Sequence, residues 1–131
     1  MGRLGLGAYH TAIQVGKQEF TFGGNIYSHE SGIYITAPRC NRSFVFKYAI
    51  PVFNPKDPED AVLTLTEFEI YHVLVPRLGQ RFLADSYDIL TNNCNHFTNH
   101  FLREITGRRY GLPSYLNRAA YIGSYFHCLV P

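Results

Sequence analysis

One cysteine stands where a chain can make a reactive sulfur. Cys94 follows Asn92 and Asn93, residues that cap helices, and an apolar pattern of helical period comes after it. In the first turn of a helix, unpaired N–H groups and the helix dipole stabilise a thiolate, and the same N–H groups can donate to an oxyanion. The sequence predicts an exposed nucleophile with a lowered thiol pKa. A small buried residue is the alternative interpretation.

A cysteine nucleophile needs a base. The chain has six histidines: His10, His29, His72, His96, His100 and His127. His96 and His100 follow Cys94 on the predicted helix at spacings that do not place an imidazole on the side of the sulfur. His10 lies on a predicted strand beside Ala8 and Ala12, whose small side chains leave room for a close approach. His10 is therefore a candidate base, and a hydrogen-bonded core histidine is the alternative.

The spacing of two histidines also raises the question of a metal site. His96 and His100 stand at i and i+4, which puts two imidazoles on one helix face. The segment between them lacks the glutamate that zinc-protease helices carry beside the first histidine, and the chain has no CxxC pair. We predict no metal and no other cofactor.

Strands come first among the elements that must position these residues. Alternating patterns predict strands over residues 8–15, 18–22, 33–37 and 43–50, and Gly16-Lys17 joins the first two as a hairpin. Residues 54–60 carry two prolines and three acids and are predicted to form a solvated loop. Residues 86–90 are predicted to be short and extended.

Helices concentrate in the second half. Thr66 and Glu69 form a capping box for a helix that reaches Gly79 and is disturbed at Pro76. A second helix is predicted from Cys94 to Ile105, closed by Gly107, and a short third one over residues 113–121. Strands followed by helices indicate an α+β domain, and not a doubly wound sheet.

Composition limits the number of domains, the classes of partner and the compartment. The 131 residues allow one domain, and 46% hydrophobic residues suffice for a core without a metal or disulfide. A net charge of +2 is too small to indicate binding to nucleic acid or to a membrane surface. Three irregularly spaced cysteines, Cys40, Cys94 and Cys128, with no secretory or membrane-spanning segment, predict a reducing compartment, cytoplasmic and also nuclear. We expect no nucleic-acid partner and no stable membrane insertion.

Four blocks of the sequence resemble the PPPDE domain, a family of cysteine isopeptidases that includes the deSUMOylating isopeptidases. The blocks occur in family order and are residues 5–15 (GLGAYHTAIQV), 19–24 (EFTFGG), 93–98 (NCNHFT) and 112–120 (LPSYLNRAA). The last block is more similar to the branch typified by the second human member. The resemblance spans nearly the whole chain.

The resemblance implies a catalytic dyad. The cysteine of the family falls on Cys94 and its histidine on His10, on a permuted papain-like fold in which an antiparallel sheet packs with helices and the cysteine begins a helix. It implies a single peptidase domain over residues 1–131. Family members usually carry a further strand before the histidine block, so we expect this chain either to be truncated or to have lost that strand. If it is truncated, we expect the sheet that holds His10 to have an unpaired edge.

The implied activity is the removal of a ubiquitin-like modifier, SUMO or ubiquitin, from its protein conjugates. Removal of S-acyl groups such as palmitoyl is one alternative, since both reactions are attacks by a thiolate on an acyl carbon. An inactive adaptor that binds a modifier is the other.

Overall fold

The computed structural model describes residues 10–40, 45–51, 63–112 and 124–130. Five strands form one sheet: β1 (His10–Val15), β2 (Gln18–Phe22), β3 (Ile33–Thr36), β4 (Val45–Pro51) and β5 (Ser124–Val130). Their order across the sheet is β3-β2-β1-β5-β4, so the strand that carries His10 is central. Both faces of this strand are covered, since Ala12 and Ile13, whose side chains point to opposite faces, are fully buried.

The first three strands form the predicted antiparallel sheet. β1 pairs with β2 and β2 with β3, in the register Ile13 to Phe20 and Phe20 to Ile35. The hairpin turn uses Gly16 at a φ of 59°, a left-handed conformation that glycine adopts at little cost. The predicted hairpin and third strand are confirmed.

The other two strands extend the sheet in parallel. β5 pairs with β1 on one side and with β4 on the other. The last described strand therefore lies between two strands that precede it by many residues in the sequence. The fourth predicted strand is confirmed over Val45–Pro51. β5 was not predicted from the sequence. The predicted loop over residues 54–60 and the predicted helix over residues 113–121 lie outside the described residues.

A continuous helical segment covers one part of the sheet. It consists of α1 (Glu67–Glu69), a π-helical turn (Ile70–Leu74) and α2 (Val75–Arg81). The predicted Thr66 capping box is present, and the predicted disturbance appears as the wide turn directly before Pro76, which has no N–H to donate. Ile70 and Leu74, the first and last residues of this turn, are buried in the core. Phe68, which precedes the turn, is exposed and packs on His72.

Helix α3 (Cys94–Ile105) packs on β1 and β2 through aromatic rings and has the predicted bounds. Its Phe97 lies 5.2 Å from Phe82, and its Phe101 lies 5.8 Å from Phe20, measured between ring centroids. The predicted apolar stripe of the helix is buried throughout: Phe97, Phe101, Leu102 and Ile105. The fold is the predicted α+β class, consistent with a papain-like arrangement whose histidine strand precedes its cysteine helix. No helix in the described ranges is long and apolar enough to span a membrane.

Candidate active site

Local hydrogen bonds fix the start of α3. The side chain of Asn93 accepts from the N–H groups of Asn95 and His96 at 2.9 and 3.1 Å. The His96 ring accepts in return from the Asn93 N–H at 3.1 Å and completes a capping box. Because these groups hold one another, the first helical residue, Cys94, has a defined position.

The sulfur of Cys94 is out of water. The residue is 6% exposed, and its thiol points towards Asn95 Oδ1 at 3.9 Å. Burial raises the pKa of the thiol. Hydrogen bonds from the Thr11 N–H, from the N–H groups of the helix start and from the Tyr87 hydroxyl act the opposite way, but burial is the larger effect. The expectations of an exposed sulfur and a lowered pKa are therefore wrong for this state, because the helix start is covered by the sheet.

Strand β1 meets the helix start through Thr11. Its hydroxyl donates to Asn95 Oδ1 at 2.7 Å, and both residues are fully buried. The Thr11 N–H that stabilises the Cys94 thiolate belongs to the peptide bond between His10 and Thr11. The two sequence-predicted residues therefore come from distant parts of the chain to neighbouring backbone positions. The pairing of the His10 ring with the Cys94 sulfur stays a prediction.

The His10 ring is buried and contacts a hydroxyl on the next strand. Nε2 lies 3.4 Å from Thr21 Oγ1, which donates its proton to the Thr11 carbonyl at 3.0 Å. Since that hydroxyl has one proton, the ring is the donor in its contact with Thr21, and this leaves Nδ1 as the acceptor nitrogen. Burial lowers the pKa of His10 to about 4, and the charge of Glu19 acts against this shift. A neutral imidazole is the form that accepts a proton from a thiol.

Tyr87 is a part of the site that the sequence analysis missed. Burial raises the pKa of its hydroxyl to about 12 and the charge of Cys94 adds to this shift, while the hydroxyl acts to lower the pKa of the Cys94 thiol. It lies directly after a 3-10 turn (Ala84–Ser86). The predicted extended segment over residues 86–90 is wrong at Ser86, which ends that turn, and at Ile89 and Leu90, which form a turn, because the loop folds back between Asp88 and Asn92. No local pattern marks Tyr87, because its relation to Cys94 depends on how the loop between Ser86 and Asn92 folds back.

The other described histidines have different surroundings. His29 pairs with Asp85 at the surface, and His72 is exposed on the first helical segment. His96 is part of the cap of α3, and His100 packs on Phe82 with Glu104 3.5 Å away. The i,i+4 pair that raised the question of zinc therefore has separate contacts, with one ring at the helix start and the other beside an ion pair.

Comparison with known proteins gives consistent matches. The profile of the PPPDE putative peptidase domain matches residues 1–131. A DeSI-like protein of Schizosaccharomyces pombe is 35% identical over 128 residues, 94% of this chain and 56% of the relative. A DeSI-like protein of Arabidopsis thaliana is 28% identical over 128 residues, 98% of this chain and 52% of the relative.

A human relative matches over a shorter stretch. Desumoylating isopeptidase 1 of Homo sapiens is 30% identical over 118 residues, 88% of this chain and 60% of the relative. The chain thus spans somewhat more than half the length of these curated relatives. No solved structure gives a significant match.

Proposed function

The chain belongs to the PPPDE peptidase family, and we propose that it is a cysteine isopeptidase that removes a ubiquitin-like modifier from protein conjugates. The relatives named desumoylating isopeptidase support a ubiquitin-like modifier as the substrate class. The proposal leaves SUMO and ubiquitin as the two candidate modifiers. The proposal assigns the nucleophile to Cys94 and the base to His10. The observation that carries it is the contact between the Cys94 helix start and Thr11, the residue after His10: the Thr11 hydroxyl donates to Asn95 Oδ1 at 2.7 Å and lies 3.5 Å from the Cys94 carbonyl oxygen.

The reaction starts from a neutral thiol and a neutral imidazole. As the sulfur attacks the acyl carbon, its proton passes to His10, a sulfur–carbon bond forms, and the carbonyl π pair moves to the oxygen. The Cys94 N–H at the helix start is free of an intrahelical partner and can donate to that oxygen. Collapse restores the carbonyl and expels the lysine amine, which takes the proton from His10. Water then attacks the acyl carbon as His10 takes its proton. Collapse breaks the carbon–sulfur bond, returns the proton to the Cys94 sulfur and releases the acyl group as an acid.

The same groups would cleave a thioester, with a thiol as leaving group. Substrate choice is therefore tested directly. The chain is incubated with SUMO and ubiquitin that carry a C-terminal vinyl sulfone, and separately with a fluorogenic acyl thioester. Cys94→Ser removes the nucleophile, and Cys40→Ser is the matched control, because Cys40 is an exposed free cysteine outside the site.

We expect a modifier adduct on Cys94, its loss in Cys94→Ser and its retention in Cys40→Ser. Thioester turnover without a modifier adduct would favour the S-acyl hydrolase and contradict the isopeptidase. Binding of a modifier without an adduct or any turnover would favour the adaptor.

Two further proposals concern the setting of this activity. We propose that residues 1–131 form one peptidase domain. We also propose that it works in the cytosol and nucleus, where reducing conditions keep cysteines such as Cys40 and Cys94 as thiols.

A further inference from the structure

The hydroxyl of Thr21 is held by the backbone of the neighbouring strand. Its oxygen donates to the Thr11 carbonyl at 3.0 Å, and the Thr21 residue is 6% exposed. β1 and β2 are paired in the sheet, so this hydrogen bond joins two strands whose positions are already fixed. The hydroxyl therefore has one orientation, with its proton on the Thr11 carbonyl and its lone pairs available to another donor.

The ring of His10 contacts this hydroxyl. Nε2 of the ring lies 3.4 Å from Thr21 Oγ1, and both side chains are buried. An oxygen whose proton is bound to a carbonyl can only accept from the ring. The contact is therefore favourable when Nε2 carries a proton. It is unfavourable when the proton of the neutral ring is on Nδ1, because two lone pairs would then face each other in a buried place.

We propose that Thr21 is the positioning residue of the dyad: it selects the tautomer of His10 with the proton on Nε2, so that Nδ1 takes the proton of Cys94. This rests on the proposed function. As the sulfur–hydrogen bond breaks, its electron pair forms the bond to the acyl carbon and the ring becomes an imidazolium. Nε2 keeps its proton and donates to Thr21 throughout, and no proton passes to Thr21. When the leaving amine takes the proton from Nδ1, the starting tautomer is restored.

The same contact stabilises the charged ring that forms during the reaction. A hydrogen bond from a cation is stronger than one between neutral groups, so the contact with Thr21 strengthens as His10 gains its proton. Burial disfavours the imidazolium, whereas the negative charge of Glu19 favours it. A fixed acceptor at Nε2 acts in the same direction as Glu19 and needs no reorganisation when the charge develops.

The nitrogen chemical shifts of His10 test the tautomer directly. The folded ring is neutral at pH 7, because its pKa is about 4. In 15N-labelled protein, a ring nitrogen that carries a proton has a chemical shift far from that of one that does not, and His10→Gln identifies both signals by their loss. We expect a protonated Nε2 and an unprotonated Nδ1. A wild-type chain with the proton on Nδ1 would overturn the assignment, whether or not any Thr21 variant folds.

Two substitutions at Thr21 separate its hydroxyl from its shape. Thr21→Val removes the hydroxyl and keeps the branched side chain, and Thr21→Ser keeps the hydroxyl. We expect Thr21→Val to move the His10 shifts towards the average of two tautomers and to lower kcat on the order of tenfold, with KM within about threefold, as for loss of one hydrogen bond. Thr21→Ser should restore the wild-type shifts and most of kcat. Wild-type shifts in Thr21→Val would overturn the assignment.

Thr106→Val is the matched control for the loss of a buried hydroxyl. Thr106 is 2% exposed, its hydroxyl donates to the Leu102 carbonyl at 2.7 Å, and it lies at the end of α3 opposite to Cys94. We expect Thr106→Val to lower the thermal midpoint, as Thr21→Val does, and to leave the His10 shifts and kcat unchanged. An equal loss of kcat in both variants would mean that Thr21 acts only through stability and would overturn the assignment.

Failure of the proposed function gives a different result. A wild-type chain that turns over neither modifier conjugates nor thioesters would overturn the proposed function and the positioning role of Thr21 with it, whatever the nitrogen shifts. An active wild type whose kcat does not respond to Thr21→Val would overturn the role of Thr21 alone.

Discussion

Burial acts on the two residues assigned to the dyad in opposite directions. It raises the pKa of the Cys94 thiol and lowers the pKa of His10 to about 4, because each residue loses the hydration of its charged form. At neutral pH the proton therefore rests on the sulfur and the imidazole is uncharged. A site of this kind relies on general-base transfer during the attack, and a resting thiolate is not its starting point.

The protonated, buried sulfur reverses the order of alkylation that a helix-start thiolate would give. With iodoacetamide at pH 6, we expect Cys40, which is exposed, to react before Cys94, which is buried and has a raised pKa. Peptide mass mapping after short exposure measures both rates in one sample. Faster labelling of Cys94 would show that its sulfur is a thiolate in the resting chain.

The dyad itself is tested by a double-mutant cycle. Cys94→Ala should abolish turnover, and His10→Ala should reduce kcat on the order of 100-fold to 10,000-fold, the usual contribution of a general base. The double variant should lose little more than Cys94→Ala alone, since residues that act as a unit are not additive. The measurement is the hydrolysis rate of a modifier conjugate. Losses that multiply would show that His10 and Cys94 work separately.

At the scale of elements, the site depends on where one helix begins. The cap of α3 is local, because Asn93 contacts groups two and three residues ahead, so the sequence predicted the start of this helix correctly. The helix also needs an anchor to the sheet, and Thr11 supplies it by a hydrogen bond across 84 positions. The anchor buries the sulfur, whereas the cap alone would leave it exposed.

Substitutions at two helix N-caps distinguish an effect on stability from an effect on the position of Cys94. Asn93→Ala removes the acceptor for two N–H groups and should cost about 1 kcal/mol of unfolding free energy, and it should also lower kcat because Cys94 is the next residue. Thr66→Ala removes the cap of α1, where Thr66 accepts from the Glu69 N–H at 3.1 Å. It should cost a similar amount and leave kcat unchanged. Urea unfolding and initial rates measure the two effects. An unchanged kcat in Asn93→Ala would mean that the sheet alone positions the sulfur.

Local signals explain which parts of the fold the sequence predicted. The hairpin at Gly16, the Thr66 capping box and the bounds of α3 depend on residues a few positions apart. The parallel pairing of β1 with β5 joins residues such as His10 and Tyr125, and no neighbour of either residue records it.

The candidate site also contains residues that local sequence signals predict and residues that only tertiary packing brings in. Cys94 has a recognisable helix start, and the assignment of His10 rests on family resemblance. Tyr87 and Thr21 become part of the site only through tertiary packing, and so does the burial that raises the pKa of the Cys94 thiol. The helix-dipole argument for a lowered pKa was sound for the isolated helix start, but desolvation by the rest of the molecule outweighs it.

At the scale of the whole molecule, the central strand carries a titratable ring into the interior. β1 lies between β2 and β5, and His10 is 6% exposed. The unfolded chain exposes this ring to water, where its pKa returns to about 6.5. At pH values between 6.5 and about 4, His10 binds a proton in the unfolded state but not in the folded state. Acid therefore favours unfolding over this range of pH.

The last prediction follows from that difference. Stability should fall as the pH is lowered from about 6.5 to 4, and His10 alone should account for about 3 kcal/mol of the loss. His10→Gln keeps a polar side chain without a titration in this range, so its unfolding free energy should vary less with pH than that of the wild type. Urea unfolding at several pH values measures both slopes, and His72→Gln, at an exposed position, controls for removal of a histidine. Equal slopes in the wild type and His10→Gln would show that the ring is hydrated or charged in the folded chain, and the neutral starting pair proposed for catalysis would then have to be replaced by an ion pair.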